Sequence, residues 1–174
     1  MGSSYGCKCN KCGYQIYADL GVGFLFPKLY NETVQEMKEG KHGAKAAEFF
    51  EAFPDGAIDY DLTLAKCFEC GEMFEVTSMN MYVLKEGHSV PSSKGRRWST
   101  AAPFYETEYI TTMDLKEHYE LFERFVYEFP KCGAAAETID NVEKLIMDEI
   151  MDEKLKCSKC NEGIMVINDF AYWD

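Results

Sequence analysis

Two stretches decide how this chain is read: Cys9-Asn10-Lys11-Cys12-Gly13-Tyr14-Gln15-Ile16-Tyr17 and its shorter echo Cys67-Phe68-Glu69-Cys70-Gly71. Two residues between paired cysteines let both sulfurs of one tight turn reach a single cation. The glycine that follows can take the positive φ that turns backbone N–H groups toward the thiolates. A third pair, Cys157-Ser158-Lys159-Cys160, precedes Gly163 and the strand-forming run Ile164-Met165-Val166-Ile167, so the order of turn and then strand recurs. Six of the eight cysteines thus fall in C-x-x-C pairs, which in a chain without a secretory signal indicate metal ligands rather than disulfides.

The first two turns share the same C-x-x-C-G form, and Cys9, Cys12, Cys67 and Cys70 are therefore expected to surround one ion tetrahedrally. The 54 residues from 13 to 66 exceed the usual spacing of such turns. An inserted pair of helices accounts for the excess, because loop-closure entropy grows only logarithmically with length. Cys132, Cys157 and Cys160 are expected to form a second, incomplete site, with 24 residues from 133 to 156 between its two turns. Its fourth ligand would be a histidine, Cys7 or water, or the site would hold no metal. Three thiolates and an open position would permit chemistry, and a zinc enzyme at that site is one reading of it.

The segment Cys9 to Tyr17 closely resembles the first knuckle of rubredoxins and of rubredoxin-like zinc ribbons. At Cys67–Gly71 the similarity covers about five residues, with Phe68 where the second knuckle commonly has proline. Phe129-Pro130-Lys131-Cys132-Gly133 resembles the C-P-x-C-G knuckle of a zinc ribbon in which Phe129 replaces the first cysteine. The whole chain is also similar to bacterial zinc-ribbon proteins of unassigned function. The resemblance implies that Cys9, Cys12, Cys67 and Cys70 bind metal: zinc in ribbons, iron in electron carriers.

Around these turns the chain reads as α+β, with zinc-ribbon (rubredoxin-like) β-hairpins and inserted and appended helices. Residues 1–85 form an N-terminal module with a helical insertion, 86–112 a Ser-, Gly- and Pro-rich linker with a strand-like end, and 113–174 a C-terminal helical module. Strands are expected around Tyr14–Tyr17, from Ala57 to Ala65 and from Glu75 to Leu84. One helix is expected to be capped by Asn31 and to stop at Gly40, and another to run from Ala44 to Phe53, before the turn Pro54-Asp55-Gly56. In the last third, Asp114 and Glu117 suggest a capping box for a helix through Glu128, with an apolar stripe of Leu115, Phe122, Phe125, Val126 and Phe129. A second helix is expected from Ile139 to Leu155, exposing Asp148, Glu149, Asp152 and Glu153 as a solvated acidic face.

Eighteen basic and 30 acidic residues among 174 give a net charge of −12, which argues against a broad nucleic-acid-binding face. The acidity lies at the two ends: −5 over 1–84, +1 over 85–112 and −8 over 113–174. Arg96, Arg97 and Trp98 in the linker read as an ordinary loop rather than a phosphate or base contact. No run approaches the roughly 20 apolar residues that span a bilayer, and residues 1–6 lack the basic and apolar regions of a signal peptide, so a cytoplasmic protein is expected. Cys7 reads as a bystander thiol, His118 as a surface histidine, and His42 and His88 as loop residues. Phosphate loops, nucleophile elbows and H-E-x-x-H helices are absent from the sequence, so the expectation leans away from an enzyme and toward a scaffold or interaction role with a protein partner. The alternative is an iron electron carrier.

Overall fold

The computed structural model describes residues 2–93, 108–147 and 154–173. The described chain is a mixed α+β protein with three antiparallel sheets and four helices, divided into two compact units. The units interleave along the sequence: unit 1 comprises Met1–Val22, Asp61–Thr77 and Phe125–Asp174, and unit 2 comprises Gly23–Tyr60 and Ser78–Arg124. This division differs from the expected succession of modules at 1–85 and 113–174. Its physical reason is strand pairing between segments far apart in the sequence.

Unit 1 contains β1 (Gly2–Cys9) and β2 (Gln15–Leu20). Its remaining strands are β4 (Leu62–Cys67), β5 (Met73–Thr77), β8 (Tyr127–Glu128), β9 (Ala135–Thr138) and β10 (Met165–Trp173), and its one described helix is α4 (Val142–Met147). One sheet has the order β10-β1-β2 and the other β5-β4-β9-β8. Gly21 and Leu62 form an antiparallel bridge from the end of β2 to the start of β4, with both N–H···O bonds 3.0 Å long. Tyr5, Ile16, Leu20, Leu64, Val142 and Ile146 belong to one buried cluster. The Tyr5 hydroxyl donates to Glu143 at 2.8 Å, fastening α4 to β1, and burial with this carboxylate bond pushes the phenol up to about 12.

Unit 2 contains the helices α1 (Phe26–Lys38), α2 (Ala44–Ala52) and α3 (Thr112–His118) and a sheet of β3 (Ala57–Ile58), β6 (Met81–Leu84) and β7 (Tyr119–Glu123). Helix α1 begins at Phe26 with Pro27 in its first turn, where proline's missing N–H costs nothing. Asn31 is therefore not its cap; it lies inside the helix and its amide donates to the Pro27 carbonyl at 2.7 Å. Phe26 packs on Tyr30 and Tyr109, and Phe49 on Phe50 and Phe122, to make an aromatic core.

Two expected strands are each cut in two. Ala57–Ala65 becomes β3 and β4, and Glu75–Leu84 becomes the end of β5 followed by β6. The outer halves pair in unit 2 and the inner halves in unit 1. At the break, the half-buried Asp59 carboxylate accepts hydrogen bonds from the Ser78 hydroxyl (2.7 Å), the Asn80 N–H (2.8 Å) and the Asn80 amide (3.0 Å).

The helix expected from Asp114 to Glu128 is also corrected. Thr111, not Asp114, is the N-cap: its hydroxyl accepts from the Asp114 N–H, and the Asp114 carboxylate accepts from the Thr111 N–H in return. The helix stops at His118, because Tyr119 to Glu123 pair with β6 and Tyr127 to Glu128 with β9. Aromatic and β-branched residues in that run favour the pleated surface over the helix. Within the expected helix Ile139–Leu155, residues 142–147 are helical, and Asp148, Glu149, Asp152 and Glu153 lie outside the described residues. Arg96, Arg97 and Trp98 also lie outside them. No helix among the described residues is long and apolar enough to cross a membrane.

Candidate metal centres

Four tight turns in unit 1 carry the sulfur chemistry, and three of them share one backbone design. In the first, the Cys9 N–H donates to the Tyr14 carbonyl at 2.7 Å and the Gly13 N–H to the Cys9 carbonyl at 3.2 Å. In the second, the Cys67 N–H reaches Glu72 and the Gly71 N–H reaches Cys67, both at 3.0 Å. In the third, Phe129 occupies the leading position: its N–H donates to Ala134 and the Gly133 N–H returns to Phe129, both at 2.8 Å. Each turn closes on a left-handed glycine, with φ of 75° at Gly13, 70° at Gly71 and 69° at Gly133. The fourth turn bonds Asn161 N–H to the Cys157 carbonyl at 2.9 Å and has Asn161, at φ 57°, in the glycine's place.

Sheet register decides which turns meet. Antiparallel pairing of β1 with β10 sets Cys9 opposite Met165, so the turn leaving β1 lies beside the turn entering β10. The Asn10 N–H donates to the Ile164 carbonyl, and the Ile164 N–H donates to the Asn10 side chain, each at 3.1 Å. Pairing of β4 with β9 likewise sets Cys67 opposite Ala136, and the Phe68 N–H donates to Ala135 at 2.9 Å. Cys9 and Cys12 therefore join Cys157 and Cys160, while Cys67 and Cys70 join Cys132. The seven expected cysteines are the ones brought together, but the expected partition, Cys9, Cys12, Cys67 and Cys70 around one ion and Cys132, Cys157 and Cys160 around another, is corrected by the structure.

In the first cluster the Cys9 and Cys160 sulfurs are 3.7 Å apart and those of Cys12 and Cys157 are 3.6 Å apart. These separations are far beyond a disulfide bond of about 2.05 Å. A tetrahedral ion with metal–sulfur bonds of about 2.3 Å sets its ligands about 3.8 Å apart, so these two separations match a single-ion thiolate shell, and all four sulfurs lie within 4.8 Å of one another. The donor set suits zinc and iron alike. Backbone N–H groups of Lys11 and Cys12 approach the Cys9 sulfur at 3.4 Å, and that of Gly163 approaches Cys160 at the same distance. The Cys12 N–H foremost, and the Lys11 N–H with it, hold the Cys9 thiol down to about 6 against the opposing effect of burial. Amides of Glu162 and Gly163 lower Cys160 in the same way.

The second cluster has three sulfurs within 4.8 Å of one another, with Cys67 and Cys132 at 3.6 Å. Among the described residues no further cysteine, histidine or carboxylate joins them. Phe129 is buried against Phe74, with ring centroids 5.0 Å apart, and shares a cluster with Cys67. Cys70 and Cys132 are exposed, and a cleft of about 540 Å³ bounded by Lys66, Phe68, Glu137 and Asn161 opens against Cys67 and Cys70.

The remaining candidates lie elsewhere. Cys7 is fully buried in the unit 1 core, where desolvation pushes its thiol up to about 11. His42 pairs with Glu36 at 3.2 Å, and His88 and His118 face each other at 3.3 Å between Nδ1 atoms. Sequence reasoning missed the N-terminal strand β1, whose polar and glycine-rich Gly2-Ser3-Ser4-Tyr5-Gly6 carries no alternating apolar pattern. No family model, curated protein or solved structure matches this chain.

Proposed function

We propose that this is a zinc-binding protein in which Cys9, Cys12, Cys157 and Cys160 form a structural, zinc-ribbon-like centre, and that the protein serves as a scaffold or interaction module for a protein partner. The observation that carries the reading is that four sulfurs contributed by the two ends of the chain lie within 4.8 Å of one another, two of the pairs at 3.6 and 3.7 Å. A closed four-thiolate shell leaves no corner for substrate, and zinc has no accessible redox change, so the ion stabilises the fold rather than turning over a substrate. Free thiols in such a shell fit a reducing compartment such as the cytoplasm. The strongly acidic charge favours a protein partner over nucleic acid.

Elemental analysis of protein purified from its native source tests this reading, with zinc the expected metal. A Cys12→Ser substitution should lower zinc content and abolish cooperative melting of unit 1. Red protein containing iron, with visible absorption that bleaches on reduction, would replace the structural reading with electron transfer.

A further inference from the structure

We propose that Cys67, Cys70 and Cys132 hold a second zinc ion whose fourth corner is open and takes a small thiol. This inference rests on the metal-binding reading above but concerns a separate set of ligands. The Cys67 turn and the Phe129 turn have the same backbone hydrogen bonds and left-handed glycines as the Cys9 turn, so the frame for four ligands is complete. Phe129 holds the chain position of a fourth cysteine, and its ring packs on Phe74 in the apolar cluster. The three sulfurs lie within 4.8 Å of one another, with Cys67 and Cys132 at 3.6 Å, close enough to share one ion. An ion held there keeps one tetrahedral corner unclaimed by the protein, and exposure of Cys70 and Cys132 gives solvent a route to it.

The ligand class follows from charge. Three thiolates on a divalent ion leave a net charge of −1, which weakens the ion as a Lewis acid toward water and makes a soft sulfur donor the better fourth ligand. Lys66 lines the cleft beside Cys67 together with Glu69 and Glu137, and Lys131 is paired with Glu72 at 2.5 Å, so the cleft carries no net positive charge and the thiol enters in its neutral, protonated form. In the exchange, the thiol gives its proton to bulk water, its sulfur forms the new bond to zinc, and the coordinated water leaves.

Cobalt replaces zinc as a spectroscopic probe in the full chain, and 2-mercaptoethanol serves as the thiol. Wild-type protein should bind two cobalt ions per chain, and added thiol should strengthen the second ion's sulfur-to-metal bands by about a third, the step from three thiolates to four. Cys132→Ser should bind one cobalt ion and show no response to thiol. Phe129→Cys should bind two, begin at the four-thiolate intensity and show no response. One cobalt ion in the wild type, or two with no spectral change on adding thiol, would overturn the proposal. If Cys132→Ser bound no cobalt while the wild type responded to thiol, the four-thiolate centre would be the reading that fails, and the open site would stand.

Discussion

Gly163 shows how closely a single residue is tied to the four-thiolate centre. Its N–H lies 3.4 Å from the Cys160 sulfur, and a β-carbon placed on it would collide with the Cys9 sulfur and stand 3.0 Å from the Asn10 side chain. The residue thus brings the fourth turn close enough for its sulfurs to meet those of the first. Gly163→Ala should push the turns apart and weaken zinc binding by about 10- to 100-fold, the range found when groups supporting metal ligands are lost. Competition with a chelating dye measures this, and unchanged affinity would show that the turns need no such approach. The turns themselves were legible because cysteine spacing and a following glycine are local facts. Phe129 was legible as a missing cysteine for the same reason, since Pro130, Cys132 and Gly133 keep the frame around it. The exchange of partners was not legible. Closure costs of the competing loops differ only logarithmically, so spacing alone could not tell a Cys9–Cys67 meeting from a Cys9–Cys160 meeting.

At the scale of elements, the breaks in the two long strands were hidden because nothing in an apolar run marks where it changes sheet. Asp59, Ser78 and Asn80 mark it in the structure, where three donors from residues 78 and 80 converge on one half-buried carboxylate. Asp59→Ala would leave those donors without their acceptor and should destabilise unit 2 by about 2 kcal/mol, measured by denaturant unfolding. The titration of Asp59 gives a second expectation. Burial raises its carboxyl above the ordinary 3.8, and the hydrogen bonds from Ser78 and Asn80 only partly offset this. The folded protein therefore binds the proton more tightly than the unfolded chain does. The stabilisation from that proton is complete below 3.8 and is lost as pH rises through the higher folded value. Asp59→Asn, which cannot titrate, should have a melting temperature less dependent on pH across this window than wild type. Identical pH profiles would mean that the carboxyl's folded and unfolded affinities for the proton are equal. The helix expected from Asp114 to Glu128 was misread for a related reason. Leu115, Phe122 and Phe129 satisfy helical spacing, yet Tyr119 to Glu123 find a strand partner in β6, and tertiary pairing prevails over a short helical pattern.

For the whole molecule, both thiolate clusters lie in unit 1, whose three segments are separated in sequence by the two segments of unit 2. An ion at the four-thiolate centre acts as a cross-link between Cys12 and Cys157, which are 145 positions apart. In the chain-entropy view a link across so long a loop removes about 5 kcal/mol of freedom from the unfolded state, comparable to the whole stability of many domains. Unit 2 has its own aromatic core in Phe26, Tyr30, Phe49 and Phe50 and contributes no cysteine to either cluster. Removing metal should therefore act unequally. With zinc bound, the full chain should melt in transitions that a chelator separates: the one belonging to unit 1 should fall sharply or vanish, and that of unit 2 should keep its midpoint. Near-ultraviolet circular dichroism from the aromatic core, followed during a thermal scan with and without chelator, distinguishes the two. A single transition that shifts as a whole on chelation would mean that the units fold as one cooperative body. Insensitivity to chelator in every probe would mean that the protein core, and not the ion, holds the chain ends together.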